Sequence, residues 1–119
     1  MILLDTNIFI YLAKGTLATE KISGTDIAHA SITKIEALGF STLPANELLL
    51  LSSLFDESQA LDLSNLVITQ AIKLRQAKKM SLGDAIIAAT AIEHNLELWT
   101  ANMDNYKHIE NLKIINPLD

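Results

Sequence analysis

The chain has 119 residues, half of them apolar and 19% charged, with four Gly and two Pro, a globular composition and not a disordered or low-complexity one. This length predicts one domain, residues 1–119, that buries about two-thirds of the surface exposed when unfolded. The absence of Cys excludes zinc-thiolate sites, thiol nucleophiles and disulfide scaffolds, and fits a reducing compartment, with the cytoplasm as the default. Nine Lys plus Arg against fourteen Asp plus Glu give a formal charge of −5, so a nucleic-acid partner requires a local basic patch or bound metal ions. Aromatic residues make up 5% of the chain, which argues against a base-stacking platform.

Met1 to Leu4 is a short apolar run followed at once by Asp5-Thr6-Asn7, the pattern of a buried strand ending in a polar turn that opens a helix. With no basic region ahead of it, this run is too short for a signal peptide or a membrane span, and no membrane association is expected. The first helix is predicted over Ile8 to Lys14, with Gly15 at its end. Asp26 to Ile32 predicts a second strand, and Thr33-Lys34-Ile35-Glu36 the start of a second helix. Pro44 to Phe55 predicts a helix whose consecutive Leu48, Leu49, Leu50 and Leu51 cannot all lie on one buried stripe. A short strand over Gln59 to Leu63 precedes a helix over Asn65 to Lys79. Lys73, Arg75, Lys78 and Lys79 form the polar face of that helix, either a solvated surface or a phosphate contact. Ser81-Leu82-Gly83-Asp84 opens an Ala-rich helix to about His94, Leu96 to Thr100 predicts a buried strand, and Lys113 to Asn116 a last one.

Strands alternating with helices imply an α/β fold of three layers, a central mostly parallel sheet with helices on both faces. Ligands of such sheets bind beyond the C-terminal strand ends, at a topological switch point. Asp5 follows the first strand, Glu36 is expected in the first turn of the second helix, and Asp84 in the first turn of the Ala-rich helix, so all three can face one crevice. Carboxylates held together raise one another's pKa unless a cation compensates. An all-oxygen set without Cys or clustered His suits Mg²⁺ or Mn²⁺. Each acid also has a structural reading: Thr33-x-x-Glu36 and Ser81-x-x-Asp84 fit capping boxes, and Asp5 fits a helix cap. The spacing alone leaves a metal site and three independent caps both open. His29, His94 and His108 form no zinc or catalytic set and read as structural, and Trp99 reads as core. No phosphate-binding Gly loop or G-x-S-x-G elbow is present.

Several segments together resemble the PIN domain family and, within it, VapC-type toxins of bacterial toxin–antitoxin pairs. Leu3-Leu4-Asp5-Thr6-Asn7 is similar to the family's first motif, and Ile32-Thr33-Lys34-Ile35-Glu36-Ala37-Leu38-Gly39 to the segment with its catalytic Glu. Leu82-Gly83-Asp84-Ala85-Ile86-Ile87-Ala88-Ala89-Thr90-Ala91 is similar to its most specific stretch, and Leu98-Trp99-Thr100-Ala101-Asn102 to its last active-site strand. The ending Leu112-Lys113-Ile114-Ile115-Asn116-Pro117 fits as well. Where family members often carry a fourth acid, this sequence has Asn102 or Asn105, with Asp104 between them as a candidate shifted acid.

The resemblance implies a PIN-like fold and an Mg²⁺- or Mn²⁺-dependent endoribonuclease. Asp5, Glu36 and Asp84 would hold one or two ions, a metal-activated water would attack phosphorus in line, and metal would stabilise the leaving 3′-oxygen. Thr6, Asn7, Thr100 and Asn102 are the candidates to orient the carboxylates or their waters. Lys73 and Arg75 are the candidates for an RNA track. The resemblance also implies a homodimer and a VapB-like antitoxin that lays a helix in a groove and sends a basic side chain to the acids. An excess of apolar positions, among them Phe9, Ile10, Tyr11, Phe40, Leu43, Leu48 to Leu51, Leu54 and Phe55, fits either such an interface or the core. A catalytically silent PIN-like binding module is the competing reading. A receiver-type phosphate module is disfavoured, because the late strand ends in Thr100-Ala101-Asn102 and supplies no Lys.

Overall fold

The computed structural model describes residues 1–118. A five-stranded sheet has all its neighbours parallel, in the order β3-β2-β1-β4-β5, where β1 is Ile2–Leu4, β2 Ile27–Ala30, β3 Gln59–Leu61, β4 Glu97–Trp99 and β5 Ile114–Ile115. The chain lays down β1, β2 and β3 outward in one direction, then returns to place β4 on the other side of β1. The switch point therefore lies between β1 and β4, where a crevice opens beyond the strand ends.

Alternation along β1 divides the core into two layers. Ile2 and Leu4 pack with Ile8, Phe9 and Leu12 of α1 (Thr6–Lys14), Ala37 of α2 (Ser31–Leu38), and Leu51 and Phe55 of α3 (Ala45–Glu57). Leu3 faces the opposite layer, with Val67, Ala71 and Leu74 of α4 (Asn65–Ala77), the apolar run of α5 (Leu82–Glu93), and Tyr106 of the short α6 (Met103–Tyr106). The three-layer α/β/α expectation is thereby met. The continuous apolar run of α5 follows from its position, since Ala85 through Ala91 are all buried between sheet, α4 and α2.

The second strand is shorter than the sequence predicts, ending at Ala30 instead of Ile32. Ala30 pairs with Leu61, the last residue of β3, and the Ser31 hydroxyl donates to the Leu61 carbonyl at 3.2 Å. With no ladder partner further on, the chain turns into α2 at Ser31. Glu36 consequently lies in the second turn of α2, not the first, and the expected Thr33–Glu36 capping box does not form: Ala30 is the N-cap and Thr33 is buried within the helix. Leu51 alone of the four consecutive leucines is buried, while Leu48, Leu49 and Leu50 are exposed. Trp99 packs partly buried against the α1 layer, and His29 lies buried in β2. Among the described residues no helix is long and apolar enough to cross a membrane.

Candidate active site

Asp5 stands directly after β1 and is 4% exposed. It N-caps α1, its Oδ1 accepting from the Thr6 backbone N–H at 2.8 Å, so the capping reading of this residue is correct but incomplete. Its other oxygen, Oδ2, accepts from the Thr100 hydroxyl at 2.7 Å at the end of β4, across the switch point. The same Thr100 oxygen accepts the Asn102 backbone N–H at 3.0 Å, which fixes the hydroxyl's direction.

Asp84 occupies the third position of α5. Ser81 caps that helix by accepting the Asp84 N–H at 3.1 Å, but the Asp84 carboxylate does not return to complete the box. It turns to α6, where Oδ1 accepts from the Tyr106 hydroxyl at 3.1 Å and Oδ2 from the Asn105 amide at 3.2 Å. Tyr106 is fully buried, and its hydroxyl also lies 3.3 Å from Asp5 Oδ2. One phenolic proton thus serves two carboxylates. Burial pushes the Tyr106 phenol above its ordinary range, and the charges of Asp5 and Asp84 push it further, so it stays a donor.

Glu36 reaches the crevice from α2, with Oε1 accepting from the Thr6 hydroxyl at 2.8 Å. The same hydroxyl is 3.3 Å from that of buried Thr33. Glu36 Oε2 lies against Gly83, where an added Cβ would come within 2.9 Å of it. Gly83 therefore lets the N-terminal turn of α5 approach the carboxylate. Asp5, Thr6, Asn7, Ile10, Glu36, Phe40, Asp84 and Asn102 together line a cleft of about 250 Å³.

No ion pair among the described residues compensates the charge in this cleft. Among the described residues the ion pairs are Lys107–Asp104 and Lys113–Glu97, each at 3.0 Å, and no Lys or Arg pairs with Asp5, Glu36 or Asp84. Burial pushes the Asp5 carboxyl above its ordinary range, hydrogen bonds from Thr100 and Thr6 pull it back, and Asp84 adds to the push. Both Asp5 and Asp84 stand at helix starts, whose partial positive charge offsets part of this cost.

Other candidates from the sequence lie elsewhere. Asp104 is exposed, pairs with Lys107 and does not line the cleft. Lys73 and Arg75 are exposed on α4 and do not line it, and Arg75 donates through Nε to the Met80 carbonyl at 3.3 Å. Nothing in the sequence singles out Tyr106, and Thr33 reads there only as a helix cap. The available signal was weak: a tyrosine buried near a turn needs a partner for its hydroxyl, but nothing in the pattern indicates that this one is buried.

The sequence matches the PIN domain family over residues 2–112. The chain belongs to the PIN domain family. Members of this family are generally nucleases. Among solved structures, a toxin–antitoxin complex from Klebsiella pneumoniae is similar over 98% of each chain, at 28% identity and a TM-score of 0.79. VapBC2 from Rickettsia felis, bound to a DNA fragment from its promoter, is similar over 98% of each chain, at 25% identity and a TM-score of 0.81. VapBC-1 from nontypeable Haemophilus influenzae has the same fold over 100% of each chain, at 23% identity and a TM-score of 0.80. No curated protein matches the chain in sequence.

The PIN site's donor chemistry fits a hard divalent cation. Its three acids offer only oxygen, and among the described residues no cationic side chain pairs with them. Among the described residues no three carboxylate or imidazole groups close around a single point. Such an open arrangement suits Mg²⁺ or Mn²⁺, which are ordinarily held by one or two carboxylates together with water and substrate phosphate.

Proposed function

We propose that this PIN domain is a metal-dependent endoribonuclease of the VapC toxin type, held in check by a cognate antitoxin. The observation that carries the reading is the convergence of Asp5, Glu36 and Asp84, none paired with a cation, on one cleft at the switch point of the sheet. Asp5, Asp84 and Glu36 are the residues that would hold Mg²⁺ or Mn²⁺. A bound ion supplies an activated water and offsets phosphate charge during in-line displacement.

The chain's own residues supply the positioning. Thr100 and Tyr106 fix the Asp5 carboxylate, Thr6 fixes Glu36, and Asn105 with Tyr106 fixes Asp84. Hydrogen bonds of this kind set the direction in which each free lone pair points. Asn7 and Asn102 line the cleft, which supports a role in holding a water or a phosphate oxygen. Because the molecule is acidic as a whole, RNA binding depends on the ion more than on Lys73 or Arg75, which face elsewhere.

An apolar groove of about 210 Å³, lined among others by Ala13, Leu43, Pro44 and Leu51, shares Ile10 and Phe40 with the acidic cleft. An amphipathic antitoxin helix laid there would bring a following Arg to the unpaired carboxylates, displacing metal and RNA. The toxin–antitoxin character of the Klebsiella and Rickettsia relatives supports this partner. The exposed Leu48, Leu49 and Leu50 offer a surface for a homodimer. A silent binding module is the second reading, favoured by one observation: the neutral Asn105 amide, not an acid, sits on Asp84.

The test is cleavage of a mixed RNA pool, with structured RNAs such as tRNA included, by antitoxin-free protein in Mn²⁺, Mg²⁺ or chelator. Cleavage in metal that stops in chelator supports the nuclease. No cleavage by folded protein across a wide metal range supports the silent module.

A further inference from the structure

Asn105 and Tyr106 turn hydrogen-bond donors toward the carboxylate pair. The Asn105 amide nitrogen points at Asp84 Oδ2, and an N–H₂ group so placed has no lone pair to offer a cation. The Tyr106 hydroxyl, buried between Asp5 Oδ2 and Asp84 Oδ1, spends its proton on the carboxylates. Asp5 Oδ2 also accepts from the Thr100 hydroxyl at 2.7 Å, so it meets one full donor and a share of the phenol proton on this side. The α6 side of the pair is thus a wall of hydrogen-bond donors, and the open acidic side is the one facing Glu36.

A two-ion site holds its metals about 3.5–4 Å apart, so oxygen ligands must be available to each ion. That requirement is met on one side only. We propose that Asn105 and Tyr106 close the α6 side of the Asp5–Asp84 pair to cations, so that this chain binds a single divalent ion, on the Glu36 side. The inference rests on the reading of the cleft as a divalent-cation site. Asn105 is the specificity-determining position, because an acid there would convert a donor into a ligand. Tyr106 is a positioning residue, holding the two carboxylates at a fixed separation.

The experiment is Mn²⁺ titration of the metal-free full chain, with bound ions counted by calorimetry and free Mn²⁺ by electron paramagnetic resonance. Asn105→Asp and Tyr106→Phe are titrated in parallel, each checked for an intact thermal transition. Wild type is expected to bind one ion per chain, Asn105→Asp two, and Tyr106→Phe one with affinity lowered about ten- to a hundredfold. Two ions on wild type overturn the proposal, as does an Asn105→Asp protein that folds and still binds one. If wild type binds no Mn²⁺ at millimolar concentration, the metal-site reading itself fails and the proposal with it. Loss of RNA cleavage with one ion still bound touches only the nuclease assignment.

Discussion

Thr6 Oγ1 donates to Glu36 Oε1 at 2.8 Å, tying the first residue of α1 to the second turn of α2. Glu36 is otherwise an exposed side chain on a helix surface, with rotamers to spare. The bond turns a solvated acid into a wall of the cleft. Thr6→Val, which keeps the shape and removes the donor, is expected to lower cleavage about ten- to a hundredfold, with Thr6→Ser restoring most of it. Equal rates in wild type and Thr6→Val would show that Glu36 needs no such hold.

Gly83 sets the other boundary of Glu36. An alanine Cβ would stand 2.9 Å from Oε2, and the flexible carboxylate must swing aside. Gly83→Ala is therefore expected to leave the fold intact, or stabilise it by up to about 1 kcal/mol through helix propensity, while cutting cleavage about tenfold or more. Thermal midpoint and turnover measured on one preparation separate the two effects. A fall in both together would point to packing, not to the displaced carboxylate.

Asp104 is the acid that sequence places nearest to the missing fourth position, yet its carboxylate meets Lys107 at the surface. Exposed pairs of this kind contribute about 1 kcal/mol or less. Asp104→Asn is expected to cleave RNA within about twofold of wild type. A loss of a hundredfold would place Asp104 in the site after all.

His29 lies buried between Phe9 and Phe55, both of which meet it edge-on, and its Nδ1 is 2.7 Å from Ser58 Oγ. Burial, with a smaller effect from Lys34, holds the imidazole below its ordinary range. The unfolded chain therefore takes up a proton near pH 6.5 that the native protein refuses until lower pH. Stability is complete above that pH and falls as pH drops below it, by up to about 1.4 kcal/mol per pH unit from this group. Urea midpoints at pH 7.5 and 5.5 should separate more for wild type than for His29→Gln. Parallel losses in the two proteins would remove His29 from the acid response.

Much of this architecture was legible because it is encoded by burial. Met1 to Leu4 and Leu98-Trp99 are runs apolar on both faces, as parallel strands covered by helices must be, and the polar residues that follow them, Asp5 and Thr100, stand at the crevice. The sequence places Glu36 in the right helix but one turn too early, because β2 ends where Ala30 meets the last residue of β3, Leu61, far along the chain. The four-residue α6 carries no periodic signal, so although the resemblance marks the position of Asn105, the bond that Tyr106 makes to the carboxylates emerges only from tertiary structure. Arg75, open in the sequence between a solvated face and a phosphate contact, donates through its guanidinium to the Met80 carbonyl just beyond α4.

The central claim is that unpaired carboxylates at the switch point perform metal-dependent cleavage of RNA. Its most direct test compares wild type with Asp84→Asn, purified identically and free of antitoxin, on one RNA pool in Mn²⁺. The asparagine keeps an acceptor for Tyr106 and lowers the charge of the cleft, so folding is expected to be retained while cleavage disappears. Cleavage by Asp84→Asn at the wild-type rate would contradict the account.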